Sequence, residues 1–124
     1  MFTILITGRP LIVWFDSCLV RGRILGDDLE SLLSLQNLST VPIATGERLY
    51  TRWQFQDIIA KSAVQIVQPD IITSGGIWEL RKIAAQAESR EIGLAPHMPY
   101  GPISFVACLH LAAATPNHGK LFAQ

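Results

Sequence analysis

Three short apolar runs, each closed by a turn and each followed by a segment with helical spacing, recur between residues 41 and 114. No other property of the chain restricts its fold as much. Val41-Pro42-Ile43-Ala44-Thr45 ends at Gly46-Glu47-Arg48, Ala63-Val64-Gln65-Ile66-Val67 at Gln68-Pro69-Asp70, and Ile92-Gly93-Leu94-Ala95 at Pro96-His97. Each run reads as a short strand. Thr51 is placed to cap a helix carrying Trp53, Ile58 and Ile59 that breaks near Lys61-Ser62. After Ser74-Gly75-Gly76 a second helix sets Ile77, Leu80, Ile83, Ala84 and Ala87 on its inner face, with Glu79, Lys82, Glu88 and Arg90 on the wetter side. Upstream, Asp27-Asp28 can cap a helix with Leu29, Leu32, Leu33 and Gln36 on one face. Downstream, the pattern from Ile103 to Ala114 is apolar nearly all round, needs cover on most sides, and stops before Pro116-Asn117.

Strands and helices alternating at this spacing define βα units and a parallel sheet. Right-handed crossovers then put the helices outside a closing barrel or on both faces of an open sheet, and periodicity leaves both open. Either way, all strands leave the sheet by one edge, so residues at their carboxyl ends converge. Glu47, Asp70 and His97 hold those positions in turn. Each also has a plainer use. Glu47 suits a surface pair with Arg48 or Arg52, Asp70 suits a turn after its proline, and a lone histidine is often structural. The Gly75-Gly76 pair before a helix is a weak phosphate signal without a longer glycine fingerprint.

The bulk properties narrow the partners. The 124 residues fit one ordinary domain, and 49% hydrophobic content suffices for a core. Ten basic and ten acidic residues balance, which argues against a nucleic-acid groove or an anionic membrane and favours a small ligand. Cys18 and Cys108 have neither metal-site spacing nor a disulfide framework, so a reducing cytoplasm is the expected location. The apolar start at Met1 to Thr7 has no basic residue ahead of its core and is cut short by Gly8-Arg9-Pro10. It makes a poor secretion signal, and no run reaches the roughly 20 apolar residues of a membrane span.

Chemically the three strand-end residues are compatible. Glu47 is a hard oxygen ligand suited to magnesium, although one carboxylate is too few to hold the ion. Asp70 beside His97 would orient the imidazole and stabilise its protonated form. A base opposite a metal-bound carboxylate suits removal of the proton next to that carboxylate, because the metal stabilises the enediolate that forms.

The segments Pro42-Ile43-Ala44-Thr45-Gly46-Glu47-Arg48, Gln68-Pro69-Asp70, Ser74-Gly75-Gly76-Ile77 and Ala95-Pro96-His97-Met98-Pro99-Tyr100-Gly101-Pro102 resemble the enolase superfamily. Within it they are most similar to the mandelate racemase branch and its galactonate-type acid-sugar dehydratases. The resemblance runs from about Asp28 to Pro116. It implies a (β/α) TIM-type barrel whose Mg2+ is held by three carboxylates on successive strands. Glu47 matches the third of these, while His97 matches the base and Asp70 its partner. The implied reaction removes the proton beside a sugar acid's carboxylate and, with acid assistance, the 3-hydroxyl, giving a 2-keto-3-deoxy sugar acid.

The chain also departs from the family. The first metal aspartate, the acid catalyst and the capping domain belong upstream of Met1, and the final strand's glutamate has no counterpart before Gln124. Where the second metal carboxylate should open a Glu-Glu-Pro, Arg21-Gly22-Arg23 stands, and an arginine there would repel the ion. The expectation is therefore an α/β fold forming part of a barrel: residues 27–124 as its C-terminal part and residues 1–26 as an atypical segment from a truncated or frame-disrupted gene. Open strand edges would favour association, including a family-type homo-oligomer. The alternative to a dehydratase is a non-catalytic fragment or an assembly module that lacks the other metal ligands.

Overall fold

A computed structural model describes residues 2–6, 9–14, 20–21, 29–40, 42–117 and 121–122, with side chains in 29–40 and 42–117. Strands β1 (Phe2–Ile6), β2 (Arg9–Trp14) and β3 (Val20–Arg21) precede α1 (Leu29–Leu38). Then β4 (Ile43–Thr45), α2 (Arg52–Ala60), β5 (Ile66–Val67), α3 (Ile77–Glu88), β6 (Gly93–Leu94) and α4 (Pro102–Ala113) alternate, and β7 (Leu121–Phe122) follows. The order β3-β4-β5-β6 makes a wholly parallel sheet. A separate sheet joins β1 to β2 antiparallel and β2 to β7 parallel. The expected alternation of parallel strands and helices is present. Asp27-Asp28 and Cys18 lie outside the described residues.

Burial in β4, β5 and β6 follows from the helices packed against them. Ile43, Val67 and Leu94, one per strand, join Phe55, Ile58 and Ile59 of α2, Leu80, Ile83, Ala84 and Ala87 of α3, and Cys108, Leu111 and Ala112 of α4 in one apolar cluster. Leu32 is the buried anchor of α1, with Leu29, Leu33 and Leu35 packed partly against the cluster. α2 and α3 end alike, with Ser62 and Glu91 at positive φ. Ala63 N–H reaches back to the Ile58 carbonyl and Ile92 N–H to that of Ala87, both at 3.0 Å. This left-handed exit satisfies the last helical carbonyls and turns the chain into the next strand.

Local expectations change at the helix starts. Thr51 precedes α2 as foreseen, but its hydroxyl makes no capping bond. Ile77 is 53% exposed and does not line the inner face of α3. Each of α2, α3 and α4 carries an exposed large apolar residue at its second position, Trp53, Trp78 and Ile103. Within the same first turns Phe55, Leu80 and Ser104 are buried, so these second positions lie on the side of each helix turned away from the core. Arg52 is not a partner of Glu47 either. Its Nη1 donates to both oxygens of Glu79, at 2.6 and 2.8 Å, and its guanidinium lies 4.5 Å from the Trp53 ring centre.

Glu79 thus joins α3 to α2, and Lys82 Nζ adds a second donor at 3.3 Å. Desolvation pushes this carboxyl up, but the hydrogen bonds and charges of Arg52 and Lys82 more than offset it, leaving it below its ordinary value of 4.5. A depressed carboxyl contributes stability above its unfolded value and loses that contribution as pH falls through the folded one. The difference in urea midpoint between wild type and Glu79→Gln should therefore be full at neutral pH and shrink steadily below pH 4.5. A difference unchanged at low pH would count against the ion pair as its cause.

The turn after β4 is set by Gly46, at φ +126°. A Cβ there would lie 2.6 Å from Phe55 Cε1 and 3.2 Å from the Gln68 backbone nitrogen, and Phe55 is fully buried. Both the dihedral and the contact exclude a side chain. Gly46→Ala should cost about 2 kcal/mol or more in chemical denaturation, by left-handed strain plus overpacking.

Candidate active site

The site begins where the strands end. Thr45, Val67 and Leu94 pair across the sheet, and the ladder continues past β5 and β6 as an isolated parallel bridge between Asp70 and His97. His97 N–H donates to the Pro69 carbonyl at 3.0 Å, so the backbone of the histidine turn is part of the sheet. This places the His97 ring beside the Asp70 carboxylate, with Nδ1 3.2 Å from Oδ2.

Asp70 is 1% exposed, and its oxygens are engaged. Oδ1 accepts from Ile72 N–H at 2.8 Å and Thr73 N–H at 3.2 Å, and Oδ2 faces His97. Two amides and a ring N–H supply the hydrogen bonds that a buried carboxylate needs. With Nδ1 as the donor to Asp70, Nε2 is the outer nitrogen and the atom left to exchange a proton.

Glu47 stands opposite that nitrogen, with Oε2 3.7 Å from Nε2. The separation exceeds an ordinary hydrogen bond. The side chain of His97 is 12% exposed and that of Glu47 31%, so the pair opens to solvent above a buried aspartate. All three residues singled out from the sequence meet at one point. What the sequence reading missed is the support beneath them: the glycine at 46, the Phe55 ring against it, and the buried hydroxyl of Ser74, which donates to the Leu49 carbonyl at 3.3 Å. A serine ahead of Gly75-Gly76 was the available signal, but its acceptor lies 25 residues away.

The donor set does not complete a divalent-cation site. Glu47 offers a hard carboxylate that suits magnesium, whereas both oxygens of Asp70 are spent on amides and imidazole. Among the described residues no three His, Cys, Asp or Glu side chains are grouped to hold a metal ion. What these residues can do by themselves is hold a proton and pass it at Nε2.

Comparison with known proteins agrees with this architecture. Residues 24–121 match the family described as Enolase C-terminal domain-like, and the chain belongs to that family. The D-galactonate dehydratase of Xanthomonas euvesicatoria pv. vesicatoria is 38% identical over 103 residues, 83% of this chain and 27% of the relative. That of Cronobacter sakazakii is 43% identical over 92 residues, 74% of this chain and 24% of the relative. An enolase from Agrobacterium radiobacter, crystallised with Na and L-malate bound, superposes with a TM-score of 0.75 at 36% identity, covering 79% of this chain and 25% of that one. The chain thus spans about a quarter of the length of these proteins. No helix among the described residues is long and apolar enough to cross a membrane.

Cys108 of α4 is buried and free. Burial, with a smaller contribution from the Asp70 charge, pushes its thiol from 9.0 up to about 12. The thiolate is the reactive form, so Cys108 should stay unalkylated by iodoacetamide at pH 8 in the native chain and react fully in denaturant, as peptide mass spectrometry would show. Between pH 9 and about 12 the unfolded thiol ionises while the folded one keeps its proton, so stability should fall across that window.

Proposed function

We propose that this chain carries the proton-transfer part of a magnesium-dependent acid-sugar dehydratase site, with His97 as the base, Asp70 as its orienting partner and Glu47 as a metal-directed carboxylate. The observation that carries the reading is the Asp70–His97 pair at 3.2 Å on the carboxyl ends of adjacent parallel strands, with the outer ring nitrogen turned to Glu47. The two D-galactonate dehydratases support the substrate class. The L-malate bound by the Agrobacterium protein is a 2-hydroxy carboxylate, a molecule of the kind whose α-proton such a base removes.

In this reading Nε2 takes the proton from the carbon beside the substrate carboxylate. The electron pair left behind expels the 3-hydroxyl, which departs as water by taking a proton from solvent or a general acid, and the resulting enol tautomerises to the 2-keto-3-deoxy acid. Asp70 keeps Nδ1 as the donor, so the ring presents Nε2 in both halves of the transfer. The carbanion's charge needs stabilisation that Glu47, itself anionic, does not supply. Magnesium dependence therefore belongs to this reading through the family, with Glu47 as one ligand and the others absent among the described residues.

That shortage favours a second reading, in which the chain alone is non-catalytic and acts as a fragment or an assembly module. Incubating the purified chain with Mg2+ and a panel of six-carbon sugar acids, and assaying 2-keto acid, separates the two. Product that disappears in His97→Ala, a change expected to cost at least 100-fold for loss of a general base, assigns dehydratase chemistry to this chain. A folded chain that yields no product assigns it to the second reading.

A further inference from the structure

The loops that carry Glu47 and Asp70 are separate in sequence, and one buried side chain joins them. Ser74 has no exposed surface, and its Oγ donates to the carbonyl of Leu49. Leu49 is itself 3% exposed, and its N–H donates to the Gly46 carbonyl at 3.1 Å, closing the tight turn in which Glu47 sits. On the other side, Ser74 N–H donates to the Asp70 carbonyl at 2.9 Å, in the same turn whose amides hold Asp70 Oδ1. Asp70 then holds His97, and His97 faces Glu47. The contacts form a closed circuit: His97, Asp70, Ser74, Leu49, the Gly46–Leu49 turn, Glu47, and back to His97.

From this circuit we infer that Ser74 is a positioning residue that sets the separation of Glu47 from the outer nitrogen of His97. The inference rests on reading Glu47, Asp70 and His97 as one site, and adds a member that touches neither substrate nor reacting atoms. Glu47 needs such a tie because it is the most exposed of the three, at 31%, and Gly46, just before it, has the left-handed freedom that glycine allows. Asp70 and His97 are held by the sheet ladder, whereas the Glu47 turn lies beyond the last paired residue of β4. The serine also has a chemical reason to make this bond. A hydroxyl with no access to water loses its desolvation cost only if it finds an acceptor, and the Leu49 carbonyl is that acceptor. Removing the hydroxyl leaves the carbonyl buried and frees the turn.

The test is an NMR comparison of the full chain with Ser74→Ala and with Ile71→Val. The second variant trims a buried residue of the same loop without touching the circuit and controls for loss of stability alone. In the wild type, NOEs between the Glu47 Hγ protons and the His97 ring protons report the contact. Ser74→Ala should abolish them and speed exchange of the Leu49 amide about fivefold or more, while Ile71→Val keeps both as in the wild type. NOEs that persist in Ser74→Ala, or that vanish equally in Ile71→Val, would overturn the positioning role while leaving the site intact. A folded wild type without these NOEs would overturn the site geometry itself, and this inference with it.

Discussion

In a parallel sheet every strand leaves by the same edge, so a polar residue placed just after each strand is delivered to one side whatever its distance along the chain. Here the pairs Ala44 with Ile66 with Gly93, and Thr45 with Val67 with Leu94, fix that edge. Asp70 and His97, 27 residues apart, become neighbours because β5 and β6 are in register. The helices hold the register. Their buried faces put Phe55, Leu80 and Leu111 against the outward residues of the strands, and a one-residue slip would bring the alternate face of each strand under them.

The two sides of the sheet therefore divide the work. Residues facing the helices are apolar and packed, and they supply most of the favourable free energy at about 1.5–3 kcal/mol for each fully buried large side chain. The strand ends place polar groups that only partners in other loops can satisfy. Asp70 is tolerated at 1% exposure because two amides and an imidazole surround its carboxylate. The same buried charge contributes to keeping Cys108 of α4 protonated, so the apolar layer and the site are electrostatically coupled.

Much of this was legible in residue order. Alternating runs named the strands and helices, and the turn residues after each run named Glu47, Asp70 and His97. Periodicity reports a face, however, and says nothing of where a face ends. Ile77 has the spacing of the inner residues of α3, yet at the first position of the helix it is exposed, while Leu80, one turn on, is fully buried. The sequence marks Trp53, Ile58 and Ile59 on α2, yet Trp53 is 64% exposed and it is the fully buried Phe55 that packs against the Gly46 turn. The Arg52–Glu79 pair and the Ser74–Leu49 bond each span 25 or more residues, so no local pattern encodes them. Only the register of the strands brings such partners together.

The bridge between Asp70 and His97 has a consequence in time as well as in space. The backbone of His97, bonded through its N–H to the Pro69 carbonyl, moves only when that end of the sheet opens, on microseconds or longer, and its ring, held against the buried Asp70 carboxylate, lacks the nanosecond freedom of an exposed side chain. His97 and Asp70 are thus held on the timescale of ligand encounter, and Glu47, whose turn is tied through Ser74, keeps freedom only in its more exposed side chain. A ligand arriving at this edge meets an imidazole and a carboxylate whose backbones are already in place.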